Sequence, residues 1–161
     1  MSTSVTTYRV QAGKALLGFA LLGVGIAIYL LLRSRDMLGF ALVDAIGLGD
    51  IADGWRHVAR SWHTLPTFAV YCVPGGLWAA AYILIIDSLF YRQTAKWRLA
   101  IAAVIPAMGV ISEALQALGW LPGTPDALDA LCYTVPYLLY FFTIWIKSFT
   151  ITKKQHLRYE N

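Results

Sequence analysis

Charge is what this sequence lacks. Only 14% of its 161 residues are Asp, Glu, Lys or Arg, where a soluble domain carries about a quarter. That shortage excludes an ordinary water-soluble domain. Cysteine is scarce as well. Cys72 and Cys132 stand alone in apolar runs, with no C-x-x-C pair, which excludes a redox dithiol or a cysteine-rich zinc module. They read as small hydrophobes. Histidine is confined to His57, His63 and His156, and no two of these have the i, i+4 spacing of a zinc-binding helix. No metal and no cofactor are expected. There is no G-x-S-x-G, no H-E-x-x-H and no nucleophile–base pair, so no catalytic residue is assigned. A net charge of +4 would suggest nucleic acid in a soluble protein. Here no basic stretch is long enough or sufficiently interleaved with aromatics, and nucleic-acid binding is set aside.

Hydrophobic residues make up 58% of the chain, and they come in runs. Four are long enough to cross a bilayer, at about 14–32, 67–90, 99–121 and 128–149. The fold class predicted is an all-α membrane protein of four transmembrane helices, one domain over 1–161. The first run follows basic residues, as in a signal peptide, but runs on from Ala15 to Leu32 without an A-x-A cleavage site. It is read as a retained anchor. Lys and Arg are concentrated before the first run, between the second and third, and after the fourth. By the positive-inside rule both termini are cytoplasmic, and the "PGTP" turn between the last two spans lies outside.

Between the first two runs lies an outer segment of mixed character. Residues 37–49 are too short to span and too apolar to float, so they either dip into the outer leaflet or pack on the bundle. In 50–62, Ile51, Trp55, Val58 and Trp62 recur at helical spacing. An amphipathic interfacial helix is expected there. A loop helix in the outer space is the alternative.

The few acids are placed where they are most expensive. A carboxylate in hydrocarbon costs roughly 2.5–3.5 kcal/mol on insertion scales. Yet Glu113 lies within the third run, and Asp126 and Asp129 open the fourth. Gln116 shares the face of Glu113 at i+3. Thr124 is the expected N-cap of the last helix, with Pro125 at its first position and Asp126 in its first turn. An antiparallel hairpin would place Glu113 and Asp129 at similar depth, facing one outward polar pocket. Arg33, Arg35, Arg56 and Arg60 are the candidate charge partners. Asp87, near the other end of the second run, is read as an interfacial ion pair with Arg92 or Lys96. In that same run "VPGGLW" (Pro74, Gly75, Gly76, Trp78) is the strongest helix interruption. It is either a cavity-lining break or a kink that lets helices pack closely.

Glu113, Gln116, Asp126 and Asp129, together with "VPGGLW" and "LPGTPDALD", resemble the VanZ-like family of small bacterial membrane proteins over about 37–149. The family's companion residues differ. Gly123 stands where an Arg is common, Tyr133 and Pro136 where Asn and Gly are common, and Gly75 where the family's short "PDGLW" motif has Asp. The resemblance implies a cell-envelope protein of the bacterial cytoplasmic membrane, one of whose relatives is linked to teicoplanin resistance. Four readings follow. One is a non-enzymatic protein whose acidic pocket binds a lipid headgroup, a cation or a similar polar ligand; another is an oligomeric proton- or cation-coupled transporter. The third is a subunit of a larger membrane complex, whose acids meet a partner's basic residues. An enzyme comes last, because two carboxylates alone could support acid–base chemistry but nothing identifies a substrate. The partners expected are membrane lipid and either a membrane protein or further copies of this chain.

Overall fold

The computed structural model of the chain describes residues 2–35, 38–61 and 65–159, leaving aside the side chains of 2–4, 38, 60–61 and 148–159. Every regular element among them is helical. In order they are α1 (Ser2–Leu32), α2 (Leu38–Ala45), α3 (Gly49–Ser61), α4 (Thr67–Tyr71), α5 (Val73–Leu89), α6 (Ala95–Ala102), α7 (Val104–Ala117) and α8 (Ala127–Tyr159). Three stretches are long and apolar enough to cross a membrane: Val5–Leu32, Ala95–Ala117 and Ala127–Lys147. The remaining expected run is divided at Cys72, which leaves α5 with 17 residues. The cause is Pro74 in the first turn of α5. Proline has no N–H to give the preceding turn, so the helix restarts there.

The third run also stops short of its expected end at Leu121. Gly119 adopts φ +72, a conformation that a β-carbon resists. Its N–H bonds the Gln116 carbonyl at 3.0 Å while that of Trp120 bonds Leu115 at 2.9 Å. This pair of bonds closes α7 as a Schellman motif. Apolar composition runs past that stop; backbone hydrogen bonding does not.

α5 is the central helix. Ala79, Ala81, Ile83 and Asp87 are buried within it, with α1 on one side and α7 and α8 on the other. α1 meets it along a narrow stripe that includes Gln11, Lys14, Gly18 and Gly25, while Leu16 and Phe19 face outward. The two glycines permit close approach: a β-carbon on Gly25 would lie 2.5 Å from Trp78 Nε1. Small residues at such seams are how helices associate where the surroundings are as apolar as the side chains.

Near the helix breaks, side chains donate to backbone carbonyls. Arg33 donates to the Tyr71 carbonyl at 2.5 Å, just ahead of Pro74. Near the α6–α7 break, Tyr82 donates to the Ile101 carbonyl at 2.9 Å and Tyr137 to that of Leu99 at 3.4 Å. Pro136 cannot donate to the carbonyl of Cys132, and that oxygen lies 3.0 Å from where a β-carbon on Gly76 would stand.

α2 packs on the bundle through Phe40, 1% exposed, which stacks on Tyr29 with ring centroids 6.0 Å apart. α3 is amphipathic in an instructive sense. Its apolar residues Ile51 and Trp55 are 59% and 65% exposed, whereas Arg56 is 4% exposed and turned inward. Arg56 donates to the carbonyls of Leu30 and Arg33 at 2.5 and 2.7 Å. A cation therefore closes the negative end of α1, and the apolar face of α3 points away from the protein. Trp62, the last member of the expected stripe, lies outside the described residues.

Candidate functional site

The turn after α7 folds the chain back so that α8 runs along α7. Asp126 stands one residue before α8, and its Oδ1 accepts the Leu128 N–H at 2.8 Å. Asp126 is thus itself the N-cap, in place of the expected Thr124, and Pro125 lies outside the helix. The carboxylate is the stronger acceptor for the positive helix end. The Asp126 N–H in turn donates to Glu113 Oε2 at 2.9 Å. Glu113 therefore reaches across the hairpin to hold the start of α8.

A third element joins them. Cys72, 2% exposed at the α4–α5 junction, points its thiol at Asp126 Oδ2, 3.8 Å away. The ligand atoms of Cys72, Asp126 and Asp129 all lie within 4.8 Å of one another. One sulfur and two carboxylates form a donor set suited to a borderline-soft divalent ion. Composition pointed instead to histidine as the test for a metal, and His57 is exposed on α3.

Sequence reasoning passed over Cys72 because a buried cysteine reads as a small hydrophobe. Its signal was positional: it directly precedes the proline break of the second run, at the end where the acidic hairpin turns. Gln116 lies against the turn: a β-carbon on Gly123, at φ +134, would stand 2.9 Å from its Cδ. The residues of "VPGGLW" divide among three helices. Pro74 sets the break, Gly75 meets the Tyr133 phenol and Gly76 meets Cys132. Trp78 packs against Gly25 and Tyr29 of α1, and its buried Nε1 has no hydrogen-bond partner among the described residues.

The proposed basic partners are occupied elsewhere. Arg33 lies between the rings of Tyr29 and Tyr71. Arg35 pairs with Asp44 at 2.9 Å and Asp53 at 3.2 Å, and Arg56 closes α1. The side chain of Arg60 lies outside the described residues. Among the described residues no ion pair reaches Glu113, Asp126 or Asp129.

A second polar cluster forms at the opposite end of α5. Asp87, 4% exposed, accepts from Lys14 Nζ at 2.6 Å and from the Tyr140 hydroxyl at 2.6 Å. Arg98 closes the group through Nε at 3.0 Å and its terminal nitrogen. The expected partners of Asp87 are corrected here: Lys96 is exposed, and Arg92 instead donates to the hydroxyls of Tyr91 at 2.8 Å and Tyr8 at 3.3 Å. The Tyr91 bond pushes the Arg92 guanidinium pKa further up. The cations that reach Asp87 belong to α1 and α6, which only the packed bundle brings to it.

Compared with known proteins, the chain matches no family model, no curated protein and no solved structure.

Proposed function

We propose that this chain is a four-span integral protein of the bacterial cytoplasmic membrane, with both termini inside, that binds a cationic group at an acidic mouth facing outward. The fourth span is α4 and α5 taken together, and α3 lies in the outer interface on its exposed apolar face. The carrying observation is the meeting of Glu113, Asp126, Asp129 and Cys72 at the hairpin end of the bundle, with no ion pair to them among the described residues. Ionisable groups gathered within membrane-spanning elements are kept for function by default, since they are expensive to keep otherwise. The likeness of Glu113, Gln116, Asp126 and Asp129 to the VanZ-like pattern adds the cell-envelope setting to the reading. A protonated amine, as on a lipid headgroup, and a free cation share the chemistry such a mouth would recognise.

The test is isothermal titration of the protein in phosphatidylcholine nanodiscs with spermidine. Wild type is expected to bind, and Asp126→Asn with Asp129→Asn to bind at least tenfold more weakly. Asparagine also caps helices, so the double variant keeps the start of α8. Equal isotherms for the two proteins, or none for wild type, would overturn the reading.

A further inference from the structure

The acidic mouth is the upper end of a groove. Between α4–α5 and α8 runs an apolar cleft of about 380 Å³, bordered by Cys72, Gly76, Leu128 and Cys132 among others. Below it lies a second cleft of about 330 Å³ that reaches Leu84, Leu139 and Tyr140. Ala80 and Pro136 line both, so the two clefts adjoin end to end and mark one groove along the α5–α8 seam. Its cause is local. Gly76 and Ala80 stand one turn apart and present almost no side chain, and Pro136 interrupts α8 opposite them.

The dimensions fit one kind of occupant. From Cys72 to Leu84 the groove follows about 18 Å of helix at 1.5 Å per residue. One leaflet of hydrocarbon is roughly 15 Å deep. Cys72 belongs both to the groove and to the acidic cluster, its sulfur 3.8 Å from Asp126 Oδ2. A ligand lying in the groove therefore ends beside two carboxylates that form no ion pair with a described cation. Any seam between membrane helices can hold lipid chains. Here one end of the seam carries two carboxylates.

We propose that the α5–α8 groove and the Asp126–Asp129 mouth form one site for a single-chain amphiphile whose headgroup carries a protonated amine. The chain lies on Gly76 and Ala80, and the ammonium sits between the two carboxylates. This rests on the functional reading above and adds the tail to it.

The experiment is native mass spectrometry of the full chain released from phosphatidylcholine nanodiscs that contain either hexadecylamine or hexadecanol. Wild type is expected to retain the amine at least tenfold more than the alcohol. Asp126→Asn with Asp129→Asn should lower amine retention to the level of the alcohol. Ala80→Trp, which fills the groove at its middle, should lose the amine while still binding spermidine. Val135→Trp, at an exposed position on the groove wall, gives the same test should Ala80→Trp fail to fold. Equal retention of amine and alcohol by wild type would overturn the proposal, as would amine retention that neither tryptophan reduces. If spermidine binds but hexadecylamine is held no better, the groove is wrong and the acidic mouth stands. If neither binds, both are wrong.

Discussion

The two ends of α5 handle acid in opposite ways, one buried and one half-exposed. At one end a single carboxylate, Asp87, is enclosed by Lys14, Arg98 and the Tyr140 hydroxyl. At the other, the carboxylates of Glu113, Asp126 and Asp129 meet backbone N–H groups and a thiol. The first arrangement has cations enough to offset the loss of water, which is the condition under which a buried charge is tolerated. The second gathers like charges, which repel one another at short range in a poorly screening medium. On the function proposed above, the first arrangement is a clasp that carries stability and the second is the site that binds.

The largest expected effect breaks the clasp. Asp87→Asn leaves the part-buried Lys14 and Arg98 beside an uncharged amide, and the loss is expected at the low end of that for a broken buried ion pair, about 3 kcal/mol. Chemical unfolding in mixed micelles should show it as a loss of folded protein at low denaturant. The next effect sharpens the comparison by locating a structural cation at the hairpin end as well. Arg56→Met removes two hydrogen bonds to the carbonyls that end α1; at a net of about 1 kcal/mol each once the freed carbonyls find other donors, the loss is about 2 kcal/mol. Proteolysis between α1 and α4 should accelerate, since α3 is then released from α1. Smaller still is Asp126→Ala, which removes the N-cap of α8 at about 1 kcal/mol, with Asp126→Asn restoring most of it. Hydrogen exchange in the first turn of α8 distinguishes the two variants.

Run lengths and the rarity of acid made much of this legible in the sequence. Three apolar stretches are long enough to span, and Glu113, Asp126 and Asp129 stand out because so little else is charged. The 3.6 period likewise marked Ile51, Trp55 and Val58 as one face of α3. Where α7 ends was not legible from composition, because apolar residues continue to Leu121 while Gly119 has already turned the backbone. Arg56 read as a candidate partner of the acidic hairpin because its actual partners are carbonyls, which every residue carries and no sequence advertises. The Asp87 clasp was hidden by distance along the chain: Lys14 is 73 positions away and Tyr140 is 53. Nearby Arg92 and Lys96 were the natural candidates until the bundle was assembled. Cys72 was hidden in the same way, since only the packing of the α4–α5 junction against α8 turns a small hydrophobe into a neighbour of two carboxylates.

The separation of clasp and site is tested most directly by one thermal-unfolding comparison in phosphatidylcholine nanodiscs. Wild type, Asp87→Asn and Asp129→Asn are melted with and without spermidine. A ligand at a hundred times its Kd raises folded-state stability by about 2.7 kcal/mol. Asp87→Asn is predicted to melt well below wild type. Asp129→Asn is predicted to stay within about 0.5 kcal/mol of wild type or above it, and to lose most of the spermidine-induced rise. If Asp129→Asn melts as low as Asp87→Asn and still gains the full rise with spermidine, the acids at the hairpin end are structural and the account is wrong.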